Sequence, residues 1–241
     1  MKNVVIAAGY ATRLYPLTEN FPKPLLEIEG TSILDRLIID IDTIDEIDEH
    51  IIVCNHKFFH HFEKWASESN YTKPITIIDD GSVVNENRLG AVKDLLFAIE
   101  TKQLYNDDLL VIAADNVLSF SFQGFVDYFK EKQTSLIMTY YEPDISALQR
   151  TGVIIIDSNE RVLEMQEKPH GPKSHYAVPP FYIYKKTDIK YIQECVLEGC
   201  NTDAPGSLVI AMLAKTVFRA WRMTGKRYDI GTLESYYNFK L

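Results

Sequence analysis

The chain has 241 residues, 46% of them hydrophobic and 24% charged, which is the ordinary balance of a folded globular protein. Its net charge of −9 lacks the basic footprint of a nucleic-acid-binding protein. No apolar run approaches the roughly 20 residues of a membrane-spanning helix, and the run in MKNVVIAAG is too short for a secretion signal. We therefore expect a cytoplasmic protein that binds neither nucleic acid nor membrane.

The first 140 residues alternate between two kinds of apolar pattern. Short continuous apolar runs, typical of strands buried in a parallel sheet, are followed by stretches whose apolar residues recur every three or four positions, as in helices. The predicted strands cover residues 4–8, 50–54, 74–80, 108–116 and 134–141. The predicted helices begin near residues 32, 57, 91 and 122. This order predicts an α/β fold with a mostly parallel sheet and helices on both faces.

The pattern changes from about Thr151. Strand-like segments at residues 152–157, 161–168 and 174–184 follow one another closely, which is typical of hairpins. Helical patterns then return, followed by a strand near residues 216–223. We interpret the change as a small β-rich insertion within one domain that spans residues 1–241, rather than as a second independent domain.

The loop after the first strand presents two cations. The apolar run from Val4 to Ala8 breaks at Gly9 into a loop that carries Arg13 and then Lys23. A loop that leaves the carboxyl end of the first strand of an α/β sheet is a usual place for phosphate-bearing ligands. Its backbone N–H groups can face phosphate oxygens while the cations share the remaining charge. Taken alone, these residues also leave open a surface turn with two unrelated basic side chains.

The opening stretch AAGYATRLYPLTENFPKPLL resembles the signature of the sugar-phosphate nucleotidylyltransferases, in which a glycine-rich loop with Thr-Arg precedes a Pro-Lys pair. The resemblance implies a Rossmann-like fold of the nucleotide-diphospho-sugar transferase type, with Arg13 and Lys23 as catalytic cations. The residues that it implies for nucleotide binding are Ala8, Gly9, Ala11, Thr12, Leu89 and Gly90. Ala11 stands where the family usually has a second glycine, so the loop must run at negative φ there or carry strain.

Two aspartates match the metal positions of the resembling family. Asp115 ends a buried strand, and Asp229 is followed closely by Gly231 and Thr232. The resemblance implies that both carboxylates bind Mg²⁺, which takes one or two carboxylates together with phosphate oxygens and water. From the residues alone, Asp115 could instead cap a turn, and Thr232 or Asp229 could cap the last helix.

The sugar-phosphate motif of the family is matched further along the chain. Glu167-Lys168-Pro169, followed by PKSHYAV, resembles the corresponding stretch of glucose-1-phosphate thymidylyltransferases. The resemblance implies that Lys168 is catalytic because it holds the attacking phosphate. The residues that it implies for sugar-phosphate binding are Gly152, Glu167, Lys168 and Tyr182. Residues 1–150 then form the nucleotide-binding half, and residues 151–241 form the sugar-phosphate lobe with the C-terminal metal motif.

The chain departs from the family at three further places, of which the first two leave the sugar and the base open. Pro179-Pro180 stands where thymidylyltransferases have Thr-Gly, and two prolines remove two N–H donors from the sugar pocket. Ala91 or Val92 lies near the place of a base-reading glutamine. Arg227 replaces an aromatic residue that often stands two positions before the second metal aspartate.

The resemblance implies that the chain forms an NDP-sugar and pyrophosphate from a nucleoside triphosphate and a sugar 1-phosphate, by Mg²⁺-assisted in-line attack on the α-phosphorus. Such a reaction depends on positioning and on charge neutralisation, which the matched cations and carboxylates can supply. It places the protein in nucleotide-sugar and polysaccharide biosynthesis, as a possible homo-oligomer. Because the chain ends soon after the metal motif, we expect a short form without a β-helix acyltransferase or regulatory domain.

Three other functions are alternatives to this reaction. The acceptor could be a non-sugar phosphate or a phosphonate, as in a cytidylyltransferase, although the sugar-binding motif favours a sugar. A glycosyltransferase would usually show Asp-x-Asp at the end of the metal strand, where this chain has Asp115-Asn116-Val117. A non-catalytic nucleotide-sugar sensor would be free to lose one of the charged residues, all of which are present.

Overall fold

The structure, a computed structural model, describes residues 1–239. The strands are β1 (Lys2–Ile6), β2 (Glu27–Ile28), β3 (Thr31–Ser32), β4 (Glu49–Cys54), β5 (Ile75–Asp79), β6 (Leu109–Ala113), β7 (Asn116–Leu118), β8 (Ser135–Tyr141), β9 (Gly152–Ile156), β10 (Val162–Glu167), β11 (Tyr176–Val178), β12 (Phe181–Tyr184), β13 (Phe218–Arg222) and β14 (Arg227–Asp229). The helices are α1 (Ile33–Asp42), α2 (Phe59–Glu68), α3 (Ala91–Lys102), α4 (Gln123–Lys132), α5 (Ile145–Leu148), α6 (Ile189–Leu197), α7 (Pro205–Met212) and α8 (Leu233–Tyr237).

The chain divides into two compact units, each built from several segments. The first unit comprises Met1–Leu89, Ile112–Gln123 and Thr224–Leu241, and the second comprises Gly90–Val111 and Gly124–Met223. The single domain predicted over residues 1–241, with halves that meet at residue 150, stays a prediction, and its residues 240 and 241 lie outside the described part of the chain. Among residues 1–239, no helix is both long and apolar enough to cross a membrane.

The first unit is built on parallel strands. Strand β4 pairs with β1 on one side and with β5 on the other, and Ile51 lies opposite both Val4 and Thr76. Val4 and Val5 of β1 and the apolar residues of β4 are fully buried, as expected for strands covered on both faces. Because parallel strands end at the same edge of a sheet, the loop after β1 and the end of β4 lie together.

Helix α1 begins where the sequence predicts. The side chain of Ser32 accepts a hydrogen bond from the backbone N–H of Asp35, so it caps the first turn. The buried positions then follow helical spacing: Ile33, Leu34, Leu37, Ile38 and Ile41. Helix α2 begins at Phe59, two residues later than predicted, because the side chain of Asn55 caps a preceding 3₁₀ turn (His56–Phe58).

The second unit contains the β-rich segment. Strand β9 pairs antiparallel with β10 and with β11, and β8 pairs antiparallel with β11 and with β12, while β13 runs parallel to β8. The change of pattern predicted from Thr151 is therefore a set of antiparallel strands. Together with the parallel strands of the first unit, these elements confirm the predicted α/β fold class with a β-rich insertion.

The pairing of β14 with β7 could not be read from the sequence. Both strands have three residues, which is too short for a periodic apolar pattern. Their pairing is antiparallel, and Asp229 lies opposite Asn116. Tertiary pairing, rather than local propensity, therefore forms this small sheet.

A buried histidine gives the first unit a pH-dependent stability. His50 is fully buried, and its ring contacts the Asn3 amide at 3.0 Å and the Asp42 carboxylate at 3.2 Å. Burial lowers the pKa of His50 from 6.5, and Asp42 offsets part of that effect. Below about pH 6.5 the unfolded chain then binds more protons than the folded one. The contribution of His50 to the free energy of unfolding is therefore fully present above that pH and is lost as the pH falls below it.

We expect the free energy of unfolding in urea to fall between pH 7.5 and 5.5, and to fall less steeply in His50→Gln. The variant removes the buried imidazole, whose pKa is lower in the folded than in the unfolded chain. His170→Gln, at an exposed histidine, serves as the matched control and should keep the slope of the wild type. An unchanged slope in His50→Gln would show that another group causes the pH dependence.

Candidate active site

The loop after β1 is tied to the end of β4. The backbone N–H of Ala7 donates to the Val53 carbonyl at 2.8 Å. The buried amide of Asn55 donates to the Ala8 carbonyl at 3.0 Å. Apart from Gly9 and its two neighbours in the chain, no atom of the described residues lies within 4 Å of the position that a Cβ would take at Gly9, so this part of the loop is open. Asn55 is a supporting residue that the sequence analysis missed.

Ala11 has a strained backbone conformation rather than a negative φ. Its φ of 48° and ψ of 41° lie in the left-handed region, which costs a non-glycine residue about 1–2 kcal/mol. The Ala11 carbonyl accepts hydrogen bonds from the Thr18 hydroxyl at 2.8 Å and the Leu14 N–H at 2.9 Å. These contacts hold the conformation and start the 3₁₀ turn Thr12–Leu14, which carries Arg13.

Lys23 and Asp115 form an ion pair across 92 positions of sequence. The Lys23 ammonium lies 3.0 Å from the Asp115 Oδ2. The Lys23 side chain is 9% exposed and the Asp115 side chain is 41% exposed. The lysine is therefore buried, whereas the carboxylate is accessible to solvent. Lys23 begins a 3₁₀ turn after Pro22, and Asp115 follows the end of β6.

Asp229 lies beside this pair. The Ile230 N–H donates to the Asp115 carbonyl at 3.2 Å, which extends the pairing of β14 with β7. Ile230 itself is buried in an apolar cluster with Leu26 and Val117, which anchors the strand end. Burial raises the pKa of the Asp229 carboxyl, and the charge of Asp115 raises it further.

Three cations oppose that rise in the pKa of Asp229: Arg227, Lys23 and Arg13. The Arg13 guanidinium lies 3.5 Å from the position of a Cβ at Gly231, next to the Asp229 carboxylate. Predicted residues from three distant parts of the sequence are therefore gathered in the first unit. The gathered groups are Arg13, Lys23, Asp115 and Asp229.

The donor set is compatible with Mg²⁺. Within residues 1–239 no group of three or more His, Cys, Asp or Glu side chains is placed to hold a metal. Mg²⁺ does not require one, because it keeps waters and phosphate oxygens beside one or two carboxylates. Asp115 and Asp229 are two carboxylates whose charges interact, and they could serve as those ligands.

A buried amide lies behind the carboxylates. Asn116 is fully buried, donates to the Asp115 Oδ1 at 2.6 Å and accepts from the Arg227 guanidinium at 2.7 Å. Arg227 stands out in the sequence as a departure from the family, whereas Asn116 was not among the predicted site residues. A polar residue directly after Asp115, where a buried strand resumes, was the available signal.

In the second unit, Glu167 lies between two glycines. A Cβ at Gly152 would come within 2.8 Å of the Met165 methyl and 3.5 Å of the Glu167 Oε2, and a Cβ at Gly206 would overlap that same oxygen. Burial raises the pKa of Glu167, and the charge of Lys168 partly lowers it. Gly206 lines this site and was not predicted from the sequence.

Lys168 is exposed and its backbone is left-handed, with φ of 46°. Its N–H donates to the Thr151 carbonyl at 3.1 Å, which fixes the turn after β10. Tyr182 is 3% exposed, and its ring stacks on Tyr184 with centroids 6.0 Å apart. The structure therefore places Tyr182 inside the unit, whereas Lys168 faces solvent.

The two residues of the predicted base-reading loop fall at a unit boundary in the chain. Leu89 is the last residue of the first segment of the first unit and is half-buried. Gly90 belongs to the second unit and has φ of 91°. A Cβ there would lie 2.7 Å from the Thr202 carbonyl oxygen, so only glycine fits this close approach.

The chain matches the sequence profile of the family described as nucleotidyl transferase over residues 2–241. It is 25% identical over 258 residues to glucose-1-phosphate adenylyltransferase of Fervidobacterium nodosum, covering 100% of this chain and 61% of that protein. It is 32% identical over 177 residues to the bifunctional protein GlmU of Methanococcus aeolicus, covering 73% of this chain and 38% of that protein. The chain thus spans about half the length of the curated relatives it matches.

Among solved structures, the chain resembles a UDP-glucose pyrophosphorylase complexed with UDP-glucose, with a TM-score of 0.81 and 19% identity. The match covers 98% of this chain and 95% of the other. At that identity the likeness concerns the fold. It agrees with the α/β architecture described above.

The strain at Ala11 leads to a stability prediction. We expect Ala11→Gly to raise the free energy of unfolding by about 0.5–1 kcal/mol, since relief of the left-handed strain exceeds the entropy that glycine adds to the unfolded chain. Ala66→Gly, within α2, is the matched control and should lower it by about 1 kcal/mol. Urea unfolding measures both, and a loss of stability in both variants would contradict the strain argument.

Proposed function

Since the chain belongs to the nucleotidyl transferase family, we propose that it joins a nucleoside triphosphate to a sugar 1-phosphate, forming an NDP-sugar and pyrophosphate. The observation that carries the proposal is the Lys23–Asp115 pair at 3.0 Å, with Asp229 beside it, at the end of the loop after β1. Cations and carboxylates gathered at one place suit a reaction between two anions.

The bonds of the proposed reaction balance without a covalent enzyme intermediate. A phosphate oxygen of the sugar 1-phosphate attacks the α-phosphorus, and a new O–P bond forms. The bond from the α-phosphorus to its bridging oxygen breaks, and pyrophosphate leaves with the electron pair. A phosphate monoester is already largely ionised near pH 7, so no strong general base is needed. The work of the protein is to position the reactants and to neutralise charge.

The first unit supplies the groups for the triphosphate. Arg13 and Lys23 would bind its phosphate oxygens, and the open backbone around Gly9 allows the loop to approach them. Asp115 and Asp229 would hold Mg²⁺, which when bound supplies positive charge at the reacting phosphates. The Lys23 ammonium also pairs with the Asp115 carboxylate.

The second unit supplies the groups for the acceptor. Lys168 is exposed, and its backbone conformation is fixed by the Thr151 carbonyl, so its ammonium can bind the attacking phosphate. Glu167, sheltered between Gly152 and Gly206, would accept hydrogen bonds from sugar hydroxyls. The adenylyltransferase relative is named for glucose 1-phosphate, which supports a sugar 1-phosphate as the acceptor class.

Release of pyrophosphate across a grid of substrates tests the proposal. The grid pairs dTTP, UTP, CTP, GTP and ATP with several sugar 1-phosphates and with phosphocholine, each with Mg²⁺ and with EDTA. We expect metal-dependent release from a sugar 1-phosphate with at least one nucleotide. Release only with phosphocholine would make the acceptor a non-sugar phosphate. Nucleotide binding without release from any pair would indicate a sensor.

Two lysines provide the mutational test. We expect Lys23→Ala and Lys168→Ala each to lower turnover by about 10²–10³-fold, because each removes a charge that stabilises the transition state. Lys64→Ala is the matched control, since Lys64 is 73% exposed and makes only a surface pair with Glu68 at 3.9 Å. Steady-state kinetics at saturating substrate concentrations measure the turnover number of each variant. Near-normal turnover in both active-site variants would contradict the assigned roles.

A further inference from the structure

The two oxygens of the Asp115 carboxylate are held by different donors. Oδ2 lies 3.0 Å from the Lys23 ammonium, and Oδ1 accepts from the Asn116 amide at 2.6 Å. The orientation of the carboxylate therefore depends on both donors. Asn116 is fully buried, so water cannot replace the amide.

The direction of the Asn116 amide is set from its other end. The Arg227 Nη1 donates to the Asn116 Oδ1 at 2.7 Å. A guanidinium can only donate and an ionised carboxylate can only accept. The amide oxygen must therefore face Arg227 and the amide NH₂ must face Asp115. A flipped amide would set donor against donor at one end and acceptor against acceptor at the other.

The same guanidinium also reaches the second carboxylate. The Arg227 Nη2 lies 4.0 Å from the Asp229 Oδ2. The Arg227 side chain is 15% exposed, so its position is enclosed. One planar group thus contacts Asn116 with one nitrogen and approaches Asp229 with the other, a geometry that the single ammonium of lysine does not reproduce.

We propose that Arg227 is a positioning residue for the metal carboxylate Asp115 and that it acts through the buried amide of Asn116. The proposal rests on the function proposed above, in which Asp115 and Asp229 bind Mg²⁺. It gives a role to the position at which this chain departs from the aromatic residue of the resembling family.

The small sheet is itself joined by main-chain contacts. Main-chain pairing already joins Asp229 to Asn116 and Tyr228 to Val117. Beyond the strand ends, the Ser119 N–H donates to the Lys226 carbonyl at 3.0 Å. The Ser119 hydroxyl accepts from the Lys226 N–H at 2.8 Å. The guanidinium adds contacts of another kind, to the side chains of Asn116 and Asp229.

Binding of Mn²⁺, measured from the electron paramagnetic resonance signal of the free ion, tests the proposal without turnover. Mn²⁺ accepts the same oxygen ligands as Mg²⁺. We expect Arg227→Met and Asn116→Leu each to weaken binding by about 10–100-fold, the usual effect of losing a partner of a metal ligand. Because the two residues act in series, the double variant should lose no more than either single variant.

Lys226→Met is the matched control, since it removes a positive charge one position away on an exposed side chain, and it should bind Mn²⁺ as the wild type does. Circular dichroism and thermal melting check that each variant is folded. Should Arg227→Met fail to fold, Arg227→Lys keeps the charge and should show an intermediate loss. Wild-type affinity in Arg227→Met or in a folded Arg227→Lys, or multiplied losses in the double variant, would overturn the proposal.

Asp115→Asn separates this proposal from the proposed function. Equal Mn²⁺ binding by the wild type and Asp115→Asn would mean that Asp115 is not a metal ligand, and the positioning role would fail with it. If the wild type binds Mn²⁺ through Asp115 but releases no pyrophosphate from any substrate pair, the reaction fails while the role of Arg227 is still decided by the variants.

Discussion

Two carboxylates held side by side repel each other, and much of the first unit serves to hold Asp115 and Asp229 in that arrangement. The repulsion and the burial both act on Asp229, whose pKa is raised. Arg13, Lys23 and Arg227 surround the carboxylates and offset the repulsion. Such a concentration of charge is costly in a folded protein unless the geometry is fixed by other contacts.

Those contacts come from the backbone and from apolar packing. The pairing of β14 with β7 sets Asp229 opposite Asn116, and Ile230 inserts into a cluster with Leu26 and Val117. The cluster includes an apolar side chain from the segment that carries Lys23. Burial of apolar surface is not directional, whereas hydrogen bonds are. Here the apolar packing holds in place the segments that make the directional polar contacts.

In the second unit, the Glu167 carboxylate is positioned by close packing against glycines rather than by surrounding charges. Glu167 lies where Gly152 and Gly206 leave room, and side chains at those positions would press on it. Its carboxyl is enclosed enough for burial to raise its pKa. A sheltered carboxylate next to an exposed lysine suits a ligand that combines hydroxyl groups with a phosphate.

The sequence by itself determined where the main helices and strands lie, and it contains the four motifs that indicate the family. Apolar runs and helical spacing depend on residues that are neighbours in sequence, so the strands of the first unit, the helix after Ser32 and the β-rich segment after Thr151 could be predicted. The family resemblance, carried by the motifs around Arg13, Asp115, Lys168 and Asp229, agrees with the match over residues 2–241.

Only the tertiary structure decided how those motifs are completed. The left-handed backbone of Ala11, the Asn55 contact to the loop and the place of Gly206 beside Glu167 depend on partners elsewhere in the chain. Arg227 contacts Asn116 across 111 positions of sequence, and the three-residue strands that bring them together carry no periodic signal. Sequence specifies such contacts only through the whole fold, because they form between segments that local propensity treats independently.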